Sequence, residues 1–317
     1  MYVNRMLERL MPVMTPASVL IGVMAAAHLK GYAYLVPWIF AFMTFAGSLS
    51  SSFGALGRSL SRPLPLMAAL FILHVAMPLW AWGVGHVAFA GDAYTITGLV
   101  LAVVIPTGIT SFIWVSIYKG NLGFTLSLIL IDTFLSPFLV PYSISLLAGE
   151  KVAMDTWGIM KGLLIMVVVP SVLGMLLHEV TKGKVKQTLA PKLAPISKLG
   201  LATVVMINSS VVAPYLEKVD GKLLFTAAIV FVVAASGYAL SWGVGMLFKW
   251  ERADVAALLF TGGMRNISAG AVVAVHYFPA AVAVPVVIGM LFQQVLASLY
   301  GRLLHEADKR KAASAAA

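Results

Sequence analysis

Cysteine is absent from all 317 residues. That excludes disulfides, thiolate metal sites and cysteine nucleophiles, and says little about compartment. Charge is scarce as well. Charged residues make up 11% of the chain, against about 25% in a soluble domain. Acidic residues are scarcer still, at 12 against 22 Lys and Arg, which leaves a net charge of +10. No HExxH element, Ser/Lys or Ser/His dyad, or pair of aspartates stands out, so an intramembrane enzyme finds no machinery here. What fills the chain is apolar: 61% hydrophobic residues and a mean hydropathy of +0.95. Apolar runs recur along the whole length with short polar gaps. The chain therefore reads as one all-α, polytopic membrane domain.

Ten runs between about residues 11 and 303 are each long enough to cross a hydrocarbon core of about 30 Å at 1.5 Å per residue. The first ends at Ala25-Ala26-Ala27-His28 with no soluble domain after it, which argues against a cleaved signal peptide. Lys119-Gly120-Asn121 and His276-Tyr277-Phe278-Pro279 predict tight turns. With the N-terminus inside, sixteen Lys and Arg fall on inner segments, among them Arg5, Arg9, Arg58, Arg62 and Lys311. Five fall outside: Lys30, Lys151, Lys161, Lys218 and Lys222. Only Arg265 is left over. This positive-inside bias places both termini in the cytoplasm and the chain in the inner membrane. It also accounts for the net charge through topology and anionic lipid, without nucleic acid.

The basic stretch 181–196 is expected as a cytoplasmic linker between two five-helix units, 1–180 and 197–304, followed by a disordered cytoplasmic tail, 305–317. A five-helix unit is odd, so its second copy enters the membrane from the opposite face, giving an inverted repeat. Two apolar runs are interrupted, the fourth by Pro106-Thr107-Gly108 and the ninth by Gly262-Gly263. Interruptions at matching positions of two halves point to a transporter's binding site. Broken helices free backbone groups in mid-membrane: the N-terminal ends suit a carboxylate and the carbonyl ends a cation.

Polar residues recur at one depth. His74, Asp132 and Arg265 each lie ten or eleven residues into their runs, roughly 15–17 Å from the inner surface. Gln293 and Gln294 also fall in the middle third, and Thr125 lies about two turns before Asp132. Charges at that depth are costly alone, so an Asp132–Arg265 pair is the economical arrangement. It serves either as an ion bridge between helices or as the site of an anion or a coupling proton. His74 is the group that titrates near neutral pH.

At this point the residues resemble a known family. Pro106-Thr107-Gly108-Ile109-Thr110-Ser111, Tyr118-Lys119-Gly120-Asn121 and Leu135-Ser136-Pro137-Phe138-Leu139-Val140-Pro141 are similar to the fourth and fifth spans of the bile acid:sodium symporter family. Ile72 to Leu79 resembles its third span and Gly263-Met264-Arg265-Asn266 its ninth. The resemblance implies two inverted five-helix repeats, a core and a panel domain, and unwound fourth and ninth helices that cross. It implies transport of organic anions such as bile acids, pantoate and other carboxylates, mostly with sodium. Substrate contacts would then fall on Thr110, Ser111, Arg265 and Asn266.

The chain departs from the family at the positions that bind sodium. His74 and Arg265 stand where the family has glutamine, Phe112 where it has asparagine, Ile129 where it has threonine or serine, and Thr261 where it has glutamate. Only Ser111 and Thr125 keep an oxygen of the expected kind, with Thr261 a weak substitute. The usual two-sodium site is therefore expected to be broken. Arg265 then serves as a fixed positive charge, and His74 and Asp132, with Gln294 nearby, handle a proton. Asp132, one turn beyond Ile129, is the alternative sodium ligand. The expected function is secondary active transport of a small organic anion by alternating access. Coupling is to Na+ or H+, and no other cofactor is expected. A passive facilitator for the same anion is the rival. A metalloid exporter of related fold would rely on a cysteine, and this chain has none.

Overall fold

A computed structural model describes residues 14–54, 63–148, 155–217 and 219–316, with side chains as far as Arg310. Arg5, Arg9, Arg58, Arg62, Lys151, Lys218 and the Lys311 side chain of the charge count lie outside the described residues. Every regular element among the described residues is helical. In chain order they are α1 (Met14–Met24), α2 (Ala26–Ser48) and α3 (Pro63–Ala88). Next come α4 (Ala93–Val104), α5 (Thr110–Ile117), α6 (Leu122–Ala148) and α7 (Thr156–Val180). A short α8 (Lys184–Thr188) leads to α9 (Ala190–Leu216) and α10 (Gly221–Leu247). The last are α11 (Arg252–Gly263), α12 (Ile267–Tyr277) and α13 (Ala280–Ala316).

Seven of these are long and apolar enough to cross a membrane, and α1, α4 and α12 are shorter apolar helices. The chain is an all-α polytopic membrane protein. Ten crossings follow only if α1 crosses whole and α4–α5 and α11–α12 cross as interrupted pairs.

The helix bounds differ from the expected division in three places. Six of these passes, not five, precede residue 181, so an equal division falls between Ala148 and Thr156. The basic stretch 181–196 is largely helical: α8 occupies part of it and α9 begins at Ala190. The tail expected to be disordered from 305 continues α13 to Ala316. Alanine is the best helix former. The Asp308 carboxylate also accepts from Arg252 at 2.7 and 2.9 Å, which ties that part of the helix to the start of α11.

The anticipated turns are present. Lys119 takes a left-handed φ of 52° and Gly120 N–H closes onto Val115 O at 2.8 Å. Asn121 N–H then donates to Ala253 O at 2.9 Å, so this turn leans on the start of α11. Lys182 and Lys249 adopt the same left-handed conformation after α7 and α10. A lysine at a helix C-terminus faces the negative end of the helix dipole.

Two helices carry a π turn, Ile72–Ala76 in α3 and Leu164–Val168 in α7. Each is followed by a proline, Pro78 and Pro170. A proline has no N–H for the carbonyl four residues earlier, which here belongs to His74 or Met166. The widened turn accommodates that loss.

The helices sort into two bundles. α2 packs on both α7 and α9, and Gly22 of α1 lies against Met206 and Ser209 of α9. The other bundle holds α3 to α6 and α10 to α13, with α4 between α3, α6 and α13, and α10 against α11 and α13. The bundles meet where α9 touches α12 and α13 and where α7 touches α6.

Candidate functional site

The site is built on two breaks. α4 ends at Val104 and α5 begins at Thr110; α11 ends at Gly263 and α12 begins at Ile267. The unwound residues of the second break are thus Met264, Arg265 and Asn266. Gly262 and Gly263 are the last helical ones, and they serve close approach instead: a Cβ on Gly262 would strike the Ser241 hydroxyl, and one on Gly263 the Tyr238 ring. The two extended segments pass each other antiparallel, pairing Thr107 with Arg265. Asn266 N–H donates to Pro106 O at 2.7 Å. Gly108 lets the strands approach, since a Cβ there would sit 2.8 Å from Arg265 O.

Thr107 joins both breaks to the rest. Its hydroxyl proton is shared between Thr261 O at 2.7 Å and Met264 O at 3.0 Å. Its N–H donates to Asp132 Oδ2 at 2.6 Å. Asp132 is fully buried on α6, and its Oδ1 meets His74 Nε2 at 2.6 Å. The second ring nitrogen, His74 Nδ1, is buried without a partner.

Asp132 is therefore paired with His74 and not, as expected, with Arg265. The reason lies in the carbonyls freed by the breaks. Arg265 Nε donates to Val103 O at 2.7 Å and Nη1 to Gly262 O at 2.7 Å, both in the last turns of half-helices. The C-terminal ends of α4 and α11 carry partial negative charge, and the guanidinium satisfies their orphan carbonyls directly. The backbone N–H of Arg265 donates to Gln293 Oε1 at 3.1 Å.

The opposite ends of the breaks face open space. A cavity of about 150 Å³ is lined by Gly108, Ile109 and Thr110 at the start of α5 and by Asn266, Ile267 and Ser268 at the start of α12. Asn266 caps α12 through Oδ1, which accepts from Ala269 N–H at 3.4 Å. Arg265, Gln293 and Gln294 complete the polar wall; Phe40, Met43, Leu201 and Val205 of the other bundle supply the apolar one. Two positive helix ends at one cavity, with Arg265 in its wall, favour an anion.

The expected residues are distributed unevenly around this centre. Thr110, Arg265, Asn266 and Gln294 line the cavity, and Gln294 Oε1 also accepts from Trp114 Nε1 at 2.9 Å. Ser111 does not line it; its hydroxyl is buried and unpartnered. Thr125 donates to Asn121 O at 2.9 Å and Thr261 to Ala257 O at 2.8 Å, each within its own helix. Thr107 was not singled out by sequence. Its signal was available, because a threonine inside a helix break has free carbonyls within reach. Tyr238, whose hydroxyl donates to Gln293 O at 3.2 Å behind the crossing, left no such signal.

Crossed half-helices at the centre of an apolar bundle, with a polar cavity on one flank, define a multi-pass membrane transporter. The chain belongs to the Sodium Bile acid symporter family, whose model matches residues 37–219. It is 57% identical over 295 residues to the uncharacterized protein YbaS of Bacillus subtilis, covering 93% of this chain and 96% of that one. It is 23% identical over 286 residues to the uncharacterized sodium-dependent transporter YocS of the same organism, covering 88% of each. A probable sodium/metabolite cotransporter, BASS1 of rice chloroplasts, is 26% identical over 250 residues; these cover 78% of this chain and 59% of that longer protein. Members of the family are transporters, and this chain is a transporter of a small molecule rather than an enzyme.

Proposed function

We propose that the chain is a secondary active transporter of a small organic anion that works by alternating access, with Arg265 as its resident positive charge. It would sit in the inner membrane with both termini cytoplasmic, crossing ten times. One observation carries the reading: the guanidinium rests on the carbonyl ends of α4 and α11, while the N-terminal ends of α5 and α12 face the cavity. A site that presents only positive helix ends suits a carboxylate at Thr110 and Asn266. A bound cation at the carbonyl ends would have to displace the guanidinium.

Coupling to a proton through His74 and Asp132 is favoured over sodium. Only three neutral hydroxyls remain at the expected sodium positions, on Ser111, Thr125 and Thr261, and no carboxylate stands with them. A hard cation needs several oxygens at once. The His74–Asp132 pair is buried and bonded through Thr107 to both breaks, so a change in its protonation acts on the crossing itself. The second reading, a sodium symporter using Asp132 and Ser111, is kept because relatives carry sodium in their names.

The test is apparent thermal stability of the purified protein in detergent against a panel of carboxylates, with and without sodium, at two pH values. Ligands of the folded state raise it by mass action. Stabilisation that ignores sodium and follows pH is expected, with the pH response lost in Asp132→Asn. Stabilisation that requires sodium would return the protein to the ordinary symporter class. The double variant Arg265→Gln, Thr261→Glu is expected to acquire sodium dependence; a folded, ligand-binding double variant indifferent to sodium would remove Arg265 from the role of built-in cation.

A further inference from the structure

Away from the crossing, α10, α11 and α13 enclose a groove of about 570 Å³. It shares no lining residue with the cavity at the crossing. Its floor is apolar and aromatic: Ala239 and Trp242 on α10, Val255 on α11, Tyr300 and Leu304 on α13. Gly243 keeps that floor open, since a Cβ added there would meet nothing within 4 Å. The rim is charged. Arg252 at the start of α11 and Asp308 on α13 form it, with Trp250 beside them. From Tyr300 to Asp308 the groove follows α13 for eight residues, about 12 Å of helix. Tryptophan and tyrosine gather where hydrocarbon gives way to lipid headgroups, and Trp242, Trp250 and Tyr300 gather at this end of the three helices.

An apolar floor in a bilayer accepts any acyl chain, so the rim decides what the groove selects. Arg252 is held rigidly there. Its Nε and Nη2 donate to Asp308 at 2.9 and 2.7 Å, and its Nη1 donates to Tyr118 O at the end of α5. Both bonds to Asp308 end on one oxygen, Oδ2, so Oδ1 receives no donor among the described residues. A guanidinium has five N–H groups, and Arg252 spends three in this way. The side chains are 39% and 33% exposed, within reach of a headgroup. The rim thus offers one fixed cation with donors to spare and, next to it, one carboxylate oxygen with room for a donor.

We propose that this groove seats one phospholipid whose headgroup carries both a phosphate and a primary ammonium. The phosphate lies on the spare N–H groups of Arg252, the ammonium donates to Asp308 Oδ1, and an acyl chain runs along Trp242, Gly243 and Leu304. A headgroup with negative charge alone would meet the Asp308 carboxylate, and a quaternary ammonium has no N–H for Oδ1. On the orientation proposed above, the lipid belongs to the cytoplasmic leaflet. The inference needs only a membrane protein and stands apart from the cargo. The seat nevertheless bears on the crossing. Tyr300 stacks on Tyr238 with ring centroids 4.9 Å apart, and Tyr238 in turn packs against Gly263 and donates to Gln293 O.

Three phospholipids with the same acyl chains test it: phosphatidylethanolamine, phosphatidylglycerol and phosphatidylcholine, each added at one mole fraction to the delipidated full-length protein in detergent. Apparent thermal stability is measured, since a lipid that binds the folded state raises it by mass action. Phosphatidylethanolamine is expected to give the largest upward shift. In Asp308→Ala the rim keeps only its cation, and phosphatidylglycerol should overtake it. Gly243→Leu fills the floor without touching the ion pair, so it guards against misfolding of the first variant; there the preference for phosphatidylethanolamine should vanish. Equal shifts with all three lipids in the wild type would reduce the groove to ordinary lipid contact and overturn the proposal. A lead for phosphatidylglycerol or phosphatidylcholine in the wild type would do the same, as would a preference that survives both variants. A dimer in detergent that Gly243→Leu dissociates would hand the groove to a second copy of the chain and equally overturn it.

Discussion

Thr107 shows how much one side chain can hold. Its hydroxyl reaches two carbonyls of the opposite break and its N–H fixes Asp132, so three elements meet on one residue. Thr107→Val keeps the shape and leaves two buried carbonyls short of a donor. An unmet buried group costs about 1–3 kcal/mol. The expected result is a clear fall in apparent melting temperature, with Thr107→Ser close to the wild type; a valine variant of unchanged stability would show that the strap is dispensable. The sequence made Arg265, Asp132 and His74 visible because charges at mid-membrane depth have few explanations. It did not reveal their partners. Pairing Asp132 with Arg265 follows when only side chains are counted, and the two breaks add carbonyls that no side-chain inventory contains. The guanidinium went to those, and the carboxylate to His74.

Among the elements, the breaks were legible and their limits were not. Pro106-Thr107-Gly108 marks the first correctly, since proline and glycine both disfavour a continuous helix there. Gly262-Gly263 marks the second two residues early, because those glycines admit Ser241 and Tyr238 and do not unwind. The half-helix α4 has a further support at its start. Asp92 caps it, accepting from Thr95 N–H at 3.1 Å and from the Thr95 hydroxyl at 2.8 Å, and pairs with Lys222 at 2.8 Å across to α10. Partial burial pushes this carboxyl up, but Lys222 and Thr95 together outweigh it and hold its pKa below the ordinary carboxylate value. A lowered folded-state pKa stabilises fully above the unfolded value, and that contribution is lost as pH falls through the folded one. Asp92→Ala should therefore destabilise by about 0.5–2 kcal/mol at neutral pH, as loss of a cap does. The gap to the wild type should close in acid. A constant gap down to pH 3 would assign the effect to packing.

For the molecule as a whole, the cavity and the seal lie at opposite ends of one interface. Along α9, Leu201 and Val205 line the cavity, while Ile207 and Val212 join the apolar seam with α12 and α13. Along α13, which runs the other way, Val282 and Val286 belong to the seam and Gln293 and Gln294 to the cavity. Asn208 sits at the boundary, fully buried, with both amide atoms unpartnered. Alternating access predicts that it becomes wet when the seam parts. Because the natural chain has no cysteine, single replacements report cleanly. Asn208→Cys should react with a membrane-impermeant thiol reagent from the face opposite to the one that labels Thr44→Cys. Silence at 208 beside a reactive 44 would count against a seam that opens.

The guanidinium on the carbonyl ends of α4 and α11 has an electrical consequence. A cation that binds beside the cargo crosses with it, cancels its charge and departs. On the proposed anion reading Arg265 returns with the protein, so each turnover would carry the anion's charge uncompensated unless His74 and Asp132 sent a proton along. One elementary charge is worth about 2.3 kcal/mol per 100 mV. Across a membrane that is negative inside, an unprotonated cycle would run outward: voltage would make an exporter of a fold that a travelling cation makes an importer.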